Sequence, residues 1–282
     1  MFDMFQLDFM VQAFVVSIII GVVLSYLGVH VVGRGIVFVD LALGQISSLG
    51  VACSEYLGYG KTVIPIVFAL SGALLMSLIN IRDRRLKLEA IIGIIYAVAS
   101  AATVMCISKT PHGDSDIQEV LFGNILSVQW EQITTIGVVF SAIALLHFLF
   151  RKKFFLLTES FENDDTNVAA VAFRSDPMFR VWNFIFYLSI GLAIVFAVRT
   201  SGVIPVFSFL IIPAVGALML SKTNLGVAIF AVTISLLGAF FGLFVSFKYD
   251  FPAGSSLVAV LGGIFLLVSL FYVFKSRMGK AD

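Results

Sequence analysis

Apolar residues gather into nine long runs, at roughly 9–29, 35–57, 62–81, 89–108, 132–150, 181–199, 203–220, 225–247 and 255–274. Each is close to the 20 or so residues a helix needs to cross a bilayer core about 30 Å thick. The runs are continuously apolar, not alternating, which excludes a transmembrane β-barrel. The pattern therefore predicts an all-α polytopic transmembrane helix bundle of about nine spans, eight being possible. The second run is weak because it carries Asp40, Gln45 and several Ser and Gly. The seventh holds Pro205 and Pro213, so either could be broken or re-entrant.

Polar stretches between the runs set an orientation. Arg82, Arg84, Arg85 and Lys87 follow the third run, Arg151, Lys152 and Lys153 the fifth, and Lys275, Arg277 and Lys280 the ninth. Such basic loops belong on the cytoplasmic side. Nine spans put all three there, with the N-terminus outside and the C-terminus cytoplasmic. The opposite side receives 109–131, where Asp114, Asp116, Glu119 and Glu131 face one lysine. Within it Val120, Leu121, Phe122, Ile125 and Leu126 could dip against the bundle as a short outer helix. The first run lacks a basic leader and a small-residue cleavage site, so it is expected to stay attached. The longest hydrophilic stretch, about 151–180, is a candidate cytoplasmic docking element, or else a solvated connector. Asp164, Asp165 and Thr166 offer an N-cap for a short helix there.

Composition agrees with the pattern. Of 282 residues 60% are hydrophobic and 12% charged, and the mean hydropathy is +1.07, so too little polar surface exists to cover a soluble domain. A net charge of +1 argues against a nucleic-acid surface. Cys53 and Cys106 sit in apolar runs without zinc-site spacing and read as packing residues. Gly60-Lys61-Thr62 resembles the end of a phosphate loop, but the glycine needed five positions earlier is Glu55. His30, His112 and His147 are scattered, and neither HExxH nor GxSxG occurs. No enzyme and no built-in ATPase is expected. Gly238 and Gly242 form a GxxxG, and with Gly93, Gly262 and Gly263 they suggest close helix approach. A charge inside a membrane is costly, so Asp40 and Gln45, read as the deepest polar groups, are the better functional hints. Glu89 and Arg199 fall nearer helix ends, where snorkelling or a local pair explains them.

Several segments together resemble the membrane permeases of bacterial ABC importers for zinc, manganese and iron. Arg34–Gly50 (RGIVFVDLALGQISSLG) is similar to that family's arginine, apolar run and DALSHA segment. Leu86–Tyr96 (LKLEAIIGIIY) resembles its acidic residue followed by xxxGI, and Leu121–Val128 (LFGNILSV) its LFGN-I-L motif. Ser201–Ala217 (SGVIPVFSFLIIPAVGA) and Asp250, Pro252 and Gly254 (DFPAG) match two further family segments in order. The resemblance implies one permease domain over 1–282, working as a homodimer in the bacterial inner membrane. Its partners would be a cytoplasmic ATPase subunit that uses the ATP and an extracytoplasmic metal-binding protein, with no cofactor bound by this chain. The implied cargo is a divalent metal ion, zinc first and manganese or iron behind it. The alternative is an ion-gradient-driven secondary transporter, for which only Asp40 could serve as a coupling acid. The implied coupling segment is the cytoplasmic loop near 151–180, centred on Glu159–Ala172, with Glu159, Glu162, Asp164 and Asp165 as its acidic residues.

One departure matters. The family's Asp and His stand four apart on one helical face; here those positions are Leu41 and Gln45. Asp40 lies one residue early, a rotation of about 100°, so it and Gln45 should not share a face. Three explanations stay open: metal passes with fewer fixed ligands, the helix register shifts to turn Asp40 inward, or the cargo differs. Cys53 could also substitute as a soft ligand. Asp40 and Gln45 are the candidate metal-path residues.

Overall fold

The computed structural model describes residues 2–60, 62–79, 88–108, 123–161 and 176–278. Among the described residues, nine helices stand where the nine runs predict them: α1 (Asp8–Gly33), α2 (Val39–Leu57), α3 (Val63–Leu78), α4 (Leu88–Ile107), α5 (Trp130–Leu149), α7 (Phe179–Ser201), α8 (Val203–Leu220), α9 (Asn224–Tyr249) and α10 (Ala253–Met278). A short extra helix, α6 (Arg151–Glu159), follows α5 directly. No strand occurs among the described residues. Among the described residues, seven helices are long and apolar enough to cross a membrane; α3, at 16 residues, is shorter, and α2 is too polar along its length to qualify.

The second and seventh runs are unbroken helices. Pro205 falls in the first turn of α8, where its missing N–H costs nothing, and only Pro213 interrupts the ladder. The start of α2 differs from the expected 35. Gly35 takes φ +65°, a conformation glycine adopts without strain, and the chain turns through Ile36–Phe38 before Val39 donates to the Ile36 carbonyl at 3.0 Å. Asp40 therefore lies in the first turn of α2 and is not deep within a span.

The chain divides into two compact units. One comprises residues 1–32, 124–140 and 204–282, and so holds α1, the first half of α5, and α8 to α10. Here backbones approach closely. A Cβ on Gly28 would collide with the Leu210 carbonyl of α8, and one on Gly242 would sit 2.8 Å from the Leu257 Cα of α10. Gly238 meets the Leu261 side chain in the same α9–α10 seam, as the GxxxG suggests. Gly262 and Gly263 have open space around their Cβ positions and serve no such contact in the described chain. Because Gly28 faces rigid backbone, Gly28→Ala should destabilise this unit by about 1–3 kcal/mol through overpacking. Thermal unfolding in detergent should show a clear fall for Gly28→Ala and little change for Gly262→Ala.

The other unit comprises 33–123 and 141–203, with α2, α3, α4, the second half of α5, α6 and α7. Helix α2 packs along α3, α4 and α7, and α3 packs along α7. Gly93, also expected to be a contact residue, faces open space in α4. Gly123 of the LFGN segment, at φ +65°, lies so close to the Ser201–Gly202 backbone that no side chain would fit. The following residues Ile125–Ser127 form a single 3-10 turn with Ile125 buried, so the described part of the expected outer helix is one short turn. Val120, Leu121 and Phe122 lie outside the described residues.

Candidate functional site

Helix α2 carries more buried polar side chains than any other helix of its unit. Asp40 is 2% exposed and Gln45 5%. Neither Asp40 oxygen has a hydrogen-bond partner of normal geometry; the donors nearest to them are the backbone N–H groups of Asp40 and Leu41. Those N–H groups belong to the helix's unsatisfied first turn, whose dipole favours a negative charge at that end. An uncommitted buried carboxyl group is expensive to keep, which makes Asp40 the leading candidate for a path residue.

Neighbouring contacts orient the helix. Leu43 and Ile46 crowd the Cβ position of Gly72 of α3, while a Cβ on Gly44 would sit 3.6–3.8 Å from Val198 and Ile194 of α7. Asp40 stands between these two directions. Gln45, five residues on, is turned away from it by about 140°, so the two do not share a face. The side chain that does share the Asp40 face is Ser47, seven residues and about 10 Å further along the axis. Its hydroxyl is fully buried and has no hydrogen-bond partner, and the adjacent Ser48 hydroxyl is in the same state. Sequence reasoning overlooked Ser47. The signal was available in the seven-residue spacing from Asp40, but two adjacent serines in an apolar run read as filler.

Below α2, Arg34 is 7% exposed. Its guanidinium lies 3.3 Å from the Phe186 ring centroid and 5.4 Å from that of Phe161. Its Nε donates to the Thr158 hydroxyl and its Nη1 to the Asn183 amide oxygen, both at 3.4 Å. The cation is thus committed to α6 and α7. Phe154 and Leu157 of α6 are fully buried, with Phe154 stacked on His147 at 3.9 Å and edge-on to Trp182 at 5.7 Å. His147 Nε2 pairs with the Ser189 hydroxyl at 2.9 Å. These contacts fasten α6, exposed along Arg151–Lys153, onto α7.

Of the residues expected to couple to an ATPase, Glu159 is the last of α6 and half-buried. Glu162, Asp164 and Asp165 lie outside the described residues, as does the expected helix capped by Asp164–Thr166. Glu89 and Arg199 sit in the first turn of α4 and the last turn of α7, the ends where they were expected. Cys53 and Cys106 are free thiols. Among the described residues no three His, Cys, Asp or Glu side chains form a metal-holding cluster.

A bundle of long apolar helices with buried polar side chains along α2 is the architecture of a multi-pass membrane protein. Residues 6–272 match the ABC 3 transport family, and the chain belongs to that family. Along 94% of its length it is 28% identical to the manganese transport system membrane protein MntC of Listeria monocytogenes, covering 91% of that protein. It is 25% identical to a protein of Haemophilus influenzae named "Probable iron transport system membrane protein", over 98% of this chain and 96% of that one. In structure it resembles PsaBC from Streptococcus pneumoniae in complex with Fab, with a TM-score of 0.78 and 25% identity over 93% of this chain and 91% of that chain. The protein is the membrane permease of an ABC metal importer, a multi-pass component of a bacterial membrane and not an enzyme. Zinc, placed first from the resemblance, finds no support among these names, and gradient-driven secondary transport gives way to ABC import.

Proposed function

We propose that the chain passes Mn2+ into the cytoplasm, with Fe2+ the nearest competitor. The observation that carries this reading is the donor chemistry of α2: a carboxylate and a hydroxyl on one face, Asp40 and Ser47, and an amide at Gln45. Oxygen donors of this kind suit manganese, whereas imidazole and thiolate suit zinc. The names carried by the relatives point the same way. Loss of the family's histidine then has a physical sense, because a path with hard, sparse ligands lets a weakly held cation move on.

In this reading the N-terminus is outside, the C-terminus and the basic start of α6 are cytoplasmic, and two copies form one path. A separate ATPase docks on the 151–180 segment, where Glu159, Glu162, Asp164 and Asp165 are the proposed acidic contacts, and an extracytoplasmic binding protein delivers the metal. ATP closure moves α6, and with it α7 and the Arg34 turn that leads into α2. The chain itself makes and breaks no bonds.

The test is uptake into proteoliposomes holding the permease, its ATPase and its binding protein, with Mn2+, Fe2+, Zn2+ and Co2+ offered separately. ATP-dependent accumulation of Mn2+ above the others is the expected result. Preference for Zn2+ would overturn the cargo assignment, and uptake without the ATPase would overturn the energy source.

A further inference from the structure

The chain's two cysteines, 53 residues apart in sequence, meet across the α2–α4 contact with their sulfurs 3.9 Å apart. Both are free thiols and only half-buried, so the pair is not sealed within the bundle. Cys53 lies four residues before the end of α2 and Cys106 one before the end of α4. Nothing in the metal path assigned above uses them, since the proposed path donors are oxygens on α2.

The spacing decides between two chemistries. A disulfide requires the sulfurs to close to about 2.05 Å, so the two packed helices would have to approach or both side chains rotate. A cation held about 2.3 Å from each sulfur, the usual zinc–thiolate distance, fits at the observed 3.9 Å separation with an S–metal–S angle of about 116°. That angle lies between tetrahedral and trigonal, and nothing needs to move. We propose that Cys53 and Cys106 form a two-thiolate site for a thiophilic d10 cation of the Cu(I) and Cd2+ class. Each thiol loses its proton to solvent as the metal–sulfur bonds form. No third His, Cys, Asp or Glu joins the pair among the described residues, so water completes the coordination. Manganese, which prefers oxygen ligands, is excluded by the same donor set. A bound cation would tie α2 to α4.

Cd2+ is the probe. The reduced, full-length permease in detergent is titrated with Cd2+ while thiolate-to-metal charge-transfer absorption is followed, and thiol alkylation by a maleimide is read by mass spectrometry. The expected result is one Cd2+ per chain, both thiols protected from alkylation, and no protection by equimolar Mn2+. Cys53→Ser and Cys106→Ser should each lower Cd2+ affinity at least about 100-fold, as expected on removing one of two ligands. Alkylation of the unaltered chain keeps the test independent of how the variants fold. Protection of one thiol only, absorption retained in either variant, or a spontaneous disulfide in the untreated chain would overturn the site. None of these readouts involves Mn2+ uptake, so failure of the cargo assignment is a separate result.

Discussion

Asp40→Asn should abolish most ATP-driven metal uptake while leaving the protein as stable as before, or more so. Replacing a group that merely supports a metal ligand costs about 10- to 100-fold in affinity or activity. Loss of the one buried carboxylate on α2 should therefore lower uptake by about 100-fold or more. Stability moves the other way because the Asp40 oxygens make no hydrogen bond of normal geometry that the amide would forfeit, and a buried carboxyl group without such a partner is a burden on the fold. Initial uptake rates and thermal unfolding, measured on the same preparation, give the answer. A joint fall in both would mean Asp40 holds the helix in place and does not serve the path. Ser47→Ala should show a milder version, with uptake reduced and unfolding unchanged.

The second large effect is expected at Arg34, where the order of two substitutions is more telling than their size. Arg34→Lys keeps the whole cost of burying a cation but loses the flat guanidinium that stacks on Phe186 at 3.3 Å and forks to Thr158 and Asn183. A desolvated cation–π contact contributes about 2 kcal/mol, and an ammonium on a flexible stem does not reproduce the fork. Arg34→Met removes the burial cost and the gain together, so it should unfold close to the wild type. Both should uncouple the permease from its ATPase, because each frees α6 from the turn before α2. Unfolding temperatures in the order wild type, Met, Lys, with ATPase stimulation lost in both variants, is the expected pattern. A lysine variant as stable as wild type would show that charge alone, not shape, holds this corner.

Much of this architecture was legible from hydropathy because the bilayer leaves a helix little freedom: backbone must be bonded internally, and a run of the right length has one solution. The run at 203–220 shows how far that logic reaches. Its two prolines suggested a break, yet Pro205 falls where the ladder has no bond to lose. What composition could not give was the phase of α2. Gly35 and the Ile36–Phe38 turn delay the helix by four residues from the expected start, which moved Asp40 from mid-span to the buried first turn of α2. Packing partners were equally hidden. Gly242 and Gly262 read alike in sequence, but one presses on the Leu257 backbone and the other on nothing. The Cys53–Cys106 meeting depends on how α2 and α4 are rotated against each other, which no spacing within either run encodes.

The clamp around Arg34 also bears on the conditions under which the transporter can work. Surface ion pairs weaken as dissolved salt screens them, with a reach of only about 8 Å at physiological ionic strength. Arg34, itself buried, grips α6 and α7 through the rings of Phe161 and Phe186 and the neutral oxygens of Thr158 and Asn183. A coupling movement routed through this corner, as proposed above, would be insulated from the osmotic and ionic swings a bacterium meets, while the solvent-exposed basic start of α6 would remain open to them.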